Sequence, residues 1–178
     1  IHGGGSFGNQ TDTLKRWAAQ FRLLPKYVQD FVSLENDEWQ YSVMDLLPLC
    51  EQLNIPLCID FFHHEVGHSK AFDVYDPELI ARVMCTWKRR GIRPKCHWSN
   101  QEPGARKGTH GKFIKDIPEH LLRIAEEHGI DIMCECKEHD LCVLKLLTQH
   151  FDRIDHGGRV EWQKKALNLY ADSIDPPR

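Results

Sequence analysis

No stretch of the 178-residue chain approaches the roughly 18 to 20 consecutive apolar residues of a membrane-crossing helix, and no charged leader precedes a hydrophobic signal segment, so neither a membrane partner nor secretion is expected. Positive charge is also in short supply. Against 26 Asp and Glu there are 23 Lys and Arg, and a net charge of -3 does not suit a protein held to nucleic acid by general electrostatics. Divalent ions could reverse the sign locally. The seven cysteines are odd in number and lack disulfide-like spacing. They point to a reducing, intracellular compartment: the nucleus in a eukaryote, the cytoplasm in a bacterium. Cys50, Cys58, Cys85, Cys96, Cys134, Cys136 and Cys142 are accordingly expected as buried structural thiols. Low-complexity segments and interdomain linkers are missing too, so residues 1–178 read as one domain, with 1–147 in strand-helix units and 148–178 as a C-terminal extension.

What is present is a repeated design. Short apolar runs end in His2, in Phe31 to Glu35, in Leu57 to Asp60 with His63 just beyond, in Lys95 to His97, and in Ile130 to Lys137 around Glu135. Helical patterns follow them. One runs from a Thr11 or Asp12 cap to about Leu24, one from Ser42 with Asp45 to Leu53, and one from Asp76-Pro77-Glu78 to a stop at Gly91. Others run from Pro118 to Gly129, from Asp140 to Leu147 and from Val160 to Tyr170. Strands alternating with helices imply parallel pairing, with the active site at the C-terminal strand ends, where every candidate ligand falls. A closed eight-stranded barrel takes about 250 residues. The chain is therefore expected to be an α/β (β/α)8 TIM-type barrel in part, covering about strands 4 to 8. An open doubly wound sheet would concentrate its site at one switch point instead.

His2, Glu35, Asp60, His63, His97, His110 and Glu135 offer imidazole nitrogens and carboxylate oxygens, a mixture suited to manganese, zinc or iron-like ions rather than calcium. Seven candidates allow more than one ion. His64, His68, His120, His128, His139, His150 and His156 lack the strand-end register. Lys95 shares a strand face with His97; beside cations its ammonium would be repelled, so it is read as a neutral base, a phosphate contact, or a carbamate bridging metals. Lys88-Arg89-Arg90 is read as a solvated helix C-terminus, whereas Arg106 and Lys107 lie in the loop before His110, on the site side.

The motifs His2-Gly3-Gly4, Leu34-Glu35-Asn36-Asp37, Asp60-Phe61-Phe62-His63-His64, Lys95-Cys96-His97-Trp98-Ser99, Gly104 to His110 and Asp131 to Lys137 resemble, in order, those of the UV damage endonucleases. The resemblance runs to about Leu147. It implies a barrel related to endonuclease IV and a divalent-metal endodeoxyribonuclease of DNA repair. Such an enzyme nicks UV-damaged double-stranded DNA on the 5′ side of photoproducts without a nucleotide cofactor. It further implies at least two ions per complete barrel, manganese first, with zinc, cobalt or magnesium as alternatives. The seven residues above become ligands, Glu35, Glu135 and Lys95 (the last in carboxylated form) catalytic, and Arg106 and Lys107 DNA contacts. Two departures stand out, Gly8-Asn9-Gln10 in place of Gly-Asp-Lys and Glu38 where a second Asp is common, and neither is expected to touch a proposed ligand. The family's first strands are not in this stretch, so the segment alone is expected to associate through open edges and to nick poorly. Two other readings remain: a metal-dependent sugar isomerase or epimerase of the xylose isomerase-like class, and a non-catalytic remnant.

Overall fold

In the computed structural model, which describes residues 1–165, the apolar runs form an α/β fold with one parallel sheet. Strands β1 (Leu34–Glu35), β2 (Leu57–Asp60), β3 (Lys95–Trp98) and β4 (Asp131–Cys134) lie side by side in that order. Leu34 pairs with Leu57, Asp60 with His97, and His97 with Met133. Before β1, His2 forms a single parallel bridge to Glu35, so a fifth backbone segment continues the sheet in the same sense. The strand ends therefore stand in a row, with their terminal side chains on one edge. β2 is buried on both faces, as its near-continuous apolar sequence requires.

Local chemistry explains the helices between them. In α3 (Val43–Leu53), Ser42 and Asp45 form a reciprocal capping box, and Asn54 ends the helix in the left-handed region at φ 55°. Asp76 caps α5 (Pro77–Lys88) through the Glu78 and Leu79 amides, and Gly129 terminates α6 (Glu119–His128). The first helix, α1 (Gln10–Leu23), is capped by Asn9 and not by Thr11 or Asp12, because the Asn9 side chain accepts from the Asp12 amide. Further along, α7 (His139–His150) extends beyond the expected Asp140 to Leu147 at both ends. The Lys88-Arg89-Arg90 cluster lies away from the C-terminal strand ends. Arg89 donates to the Glu51 carbonyl, and Arg90 to the Asn54 and Asp30 carbonyls and to the Asp30 carboxylate. Among the described residues, no helix is long and apolar enough to cross a membrane.

Several expectations are corrected. Phe31 to Ser33 are not strand: the short helix α2 (Lys26–Gln29) is followed by turns in which the Phe31 and Val32 amides bond to Val28 and Gln29, leaving Phe31 exposed. Val160 to Lys164 is not helix but strand β6, antiparallel to β5 (Phe151–Asp155) across a turn containing Gly157 and Gly158 at positive φ. Both glycines take a conformation unfavourable to other residues, and that turn fixes the hairpin. Lys165 is not helical either, and Ala166 to Tyr170 of that expected helix lie outside the described residues. Cys85 is exposed; Cys134 is half-buried and the other five cysteines are buried.

Helix α5 also braces the sheet. Thr86 Oγ1 accepts from the Leu57 amide at 3.0 Å, while Trp87 Nε1 donates to the Leu57 carbonyl at 2.7 Å. Replacing Thr86 by Val keeps the shape and leaves a buried amide without a partner, which costs about 1–3 kcal/mol. Urea unfolding should show a correspondingly lower midpoint for Thr86→Val; an unchanged midpoint would remove this brace from the account.

Candidate functional site

The row of strand ends gathers the seven candidate ligands. Glu35 closes β1 and Asp60 closes β2, where Asp60 also caps α4 (Phe61–Gly67) by accepting the His63 amide at 2.7 Å. That cap explains the placement of His63: the chain turns from strand into helix directly at Asp60, so the imidazole three residues on returns to its carboxylate, with Nε2 at 3.7 Å from Oδ2. His97 comes from β3. Glu135 lies one residue beyond β4, its amide bonded to the Trp98 carbonyl at 2.9 Å. His110 arrives on the loop after β3 through an antiparallel bridge to Gln101.

The side chains converge. His97 Nδ1 lies 2.7 Å from Glu35 Oε1 and 3.0 Å from Glu135 Oε1. His110 reaches Glu135 at 3.6 Å and His63 at 3.4 Å. Three sets have all their ligand atoms within 4.8 Å: His2, Glu35 and His63; Asp60, His63 and His110; and Glu35, Asp60, His97 and Glu135. Any two of these sets share one residue, which is Glu35, His63 or Asp60.

The electrostatics of this arrangement are unbalanced. Burial pushes the Asp60 carboxyl up to about 8, with the Glu35 and Glu135 carboxylates adding to the rise against the His63 amide. Its Oδ2 is buried with no hydrogen-bond partner. Burial raises Glu35 most, but the His97 hydrogen bond and the charges of His97, His2 and the Ile1 ammonium together outweigh it and hold that carboxylate below its ordinary range. Burial disfavours charge on His97; the hydrogen bonds to Cys58 and Glu35 reverse this and bring it to about 11. His63 is lowered, mainly by burial. An unsatisfied buried carboxylate oxygen amid oxygen and nitrogen donors is what a divalent cation satisfies, so the residues fit such an ion.

Asn36 escaped the sequence reading, and Glu38, expected to touch no ligand, stands against His63. Asn36 donates from Nδ2 to the Asp60 carbonyl at 2.8 Å and accepts from the Asp60 amide at 2.9 Å, continuing the β1–β2 ladder with a side chain. Glu38 places Oε2 at 2.9 Å from His63 Nδ1, out of hydrogen-bond alignment but close enough to favour the orientation that turns Nε2 toward Asp60. An additional acid after Glu35-Asn36-Asp37 was the available signal. Lys95 stands apart: its ammonium pairs with Asp131 at 3.1 Å. Arg106 and Lys107 lie over the Trp39 ring.

A family model described as UV-endonuclease UvdE matches residues 1–163. Over 154 residues the chain is 45% identical to the putative UV-damage endonuclease of Acanthamoeba polyphaga mimivirus, covering 85% of this chain and 46% of that protein. It is 34% identical over 157 residues to the UV-damage endonuclease of Schizosaccharomyces pombe, covering 84% and 25%. With the UV DNA damage endonuclease of Bacillus cereus strain B4264, identity is 30% over 154 residues, covering 84% and 47%. The crystal structure of SacUVDE superposes with a TM-score of 0.65 at 31% identity, over 82% of this chain and 48% of that one. The chain thus spans about half the length, or less, of the relatives it matches.

Proposed function

Since the chain belongs to the UV-endonuclease UvdE family, we propose that its protein is a divalent-metal-dependent endonuclease that nicks double-stranded DNA on the 5′ side of UV photoproducts. In this reading, β1 to β4 and the His2 segment are consecutive strands of a TIM-type barrel, about its fourth to eighth. The observation that carries the proposal is the convergence of Glu35, Asp60, His97 and Glu135 around a buried oxygen of Asp60 that has no hydrogen-bond partner.

His2, Glu35, Asp60, His63, His97, His110 and Glu135 would hold at least two ions, manganese first. Bound divalent ions supply Lewis acidity toward phosphodiester oxygens and lower the pKa of water. Of the three carboxylates, Glu135 is the most open, its side chain 32% exposed against 8% for Glu35 and 0% for Asp60, so it faces the incoming phosphate. Glu35 fixes His97 from the buried side. Arg106 and Lys107 hold a neighbouring phosphate and so set the register of the strand. Lys95 is the third catalytic candidate; in carboxylated form it would place an anion beside Asp131, and that pair would have to open. A UV dimer weakens stacking, which makes damaged duplex cheaper to deform into the site.

The test is an end-labelled duplex with one defined photoproduct, incubated with the whole protein and manganese, alongside elemental analysis of chelator-free protein. A nick just 5′ of the lesion leaving a 3′ hydroxyl, with at least two ions bound, is expected. Equal cutting of undamaged duplex refutes lesion selectivity, one ion or none refutes the shared centre, and sugar isomerisation without nicking overturns the reading.

A further inference from the structure

Trp39 is half exposed, an unusual position for a large apolar ring, and its backbone is held firmly. The buried Asp37 carboxylate accepts from the Trp39 amide at 2.7 Å, from the Gln40 amide and from the Tyr41 amide at 3.3 Å. Over the ring lie two cations, Lys107 Nζ at 4.7 Å from its centroid and Arg106 Cζ at 5.9 Å. Neither has a carboxylate partner among the described residues. The loop bearing them is pinned by Gln101, which accepts from the Gly108 amide and donates to the Arg106 carbonyl, both at 2.9 Å. The preceding residue is Glu38, against His63, so the ring borders the ligand cluster.

We propose that Trp39 is a stacking platform for a nucleobase of the bound strand, with Arg106 and Lys107 taking the phosphates on either side of that nucleotide. This rests on the DNA-nicking reading and adds a contact to it. The rigid turn presents the indole without an ordering cost on binding. Unneutralised positive charge beside an aromatic face is complementary to a polyanion whose bases have π-faces, and to little else. In the free protein the ring holds the two cations by its quadrupole; on binding they turn to phosphates and the ring receives the base. Stacking tolerates any base, and a poorly stacked lesion releases its neighbours most easily, so the platform favours damaged DNA without reading sequence.

The experiment measures binding of the whole, manganese-loaded protein to a labelled duplex carrying a single thymine dimer flanked by non-hydrolysable linkages, with metal content determined on the same samples. Trp39→Ala should weaken binding about tenfold or more, with metal content unchanged, while Trp39→Phe stays within about threefold because a π-face remains. Binding of Trp39→Ala equal to wild type, while Arg106→Ala with Lys107→Ala binds weakly, overturns the platform and leaves the basic loop. Loss of metal together with affinity in Trp39→Ala overturns it as well, since the ring then only anchors the loop that carries His110. Wild-type protein that binds neither damaged nor intact duplex overturns the parent reading.

Discussion

Glu35→Gln should strip the candidate centre of most of its metal and reduce nicking by more than the roughly 10- to 100-fold that loss of an outer partner costs at a metal site. Glu35 stands in two of the three ligand sets, so one lost charge weakens both. The amide is nearly isosteric, and its oxygen can still accept from His97 Nδ1, where the native contact is 2.7 Å. The fold should therefore survive, and the change isolates charge from shape. Thermal unfolding establishes that the variant is folded, elemental analysis after metal reloading gives occupancy, and the photoproduct duplex gives the rate. A variant with wild-type metal content and nicking within tenfold would remove Glu35 from the centre.

Gly67→Ala is the second large effect, and it acts through backbone. A Cβ on Gly67, the last residue of α4, would stand 2.5 Å from the Glu38 carbonyl oxygen and 2.6 Å from its Cα. Backbone on both sides cannot yield like the end of a flexible side chain, so α4 or the turn at Glu38 must move. Overpacking of this kind costs about 1–3 kcal/mol, and a domain of this size loses about 2–4 °C in Tm for each kcal/mol. The shift also separates Glu38 from His63, so metal affinity should fall with stability. Gly5→Ala is the comparison: the atoms nearest its Cβ belong to the Phe7 ring, at an ordinary 3.4 Å, and little change is expected. Equal Tm values for the two variants would contradict the tight packing of α4 against Glu38.

How far the chain could be read in advance depended on whether the signal was local. Ser42 with Asp45, Asp76-Pro77 and the apolar run Leu57 to Asp60 each decide their own backbone, and each element formed with the expected start. The strand-end register also pointed to His2, Glu35, Asp60, His97 and Glu135, which converge with His63 and His110 from just beyond the strands. Non-local causes were hidden. Phe31 and Val32 have strand-like side chains, but turns after α2 hold them. Val160 to Lys164 pairs with Phe151–Asp155, and one sequence in isolation does not declare a partner. Helix α4 is only about two turns long, started by the Asp60 cap and too short for an apolar period to show. Glu38 and Asn36 act through neighbours 25 and 24 residues away in the chain, and Lys95 is drawn to Asp131 by a register that only the folded sheet sets.

The two-way amide bond of Asn36 with Asp60 bears on ionic radius. A ligand cage on floppy loops widens or contracts around whatever enters it, and selectivity by size is lost. Here the Glu35 and Asp60 strand ends are tied backbone to side chain by bonds of 2.8 and 2.9 Å, with Asn36 fully buried, so the spacing between the two carboxylate stems is set when the chain folds. Under the proposed metal-dependent reading, a calcium ion, which needs more oxygens at longer distances, would have to spread these two strand ends against the Asn36 bonds, whereas an ion of smaller radius would ask less of them.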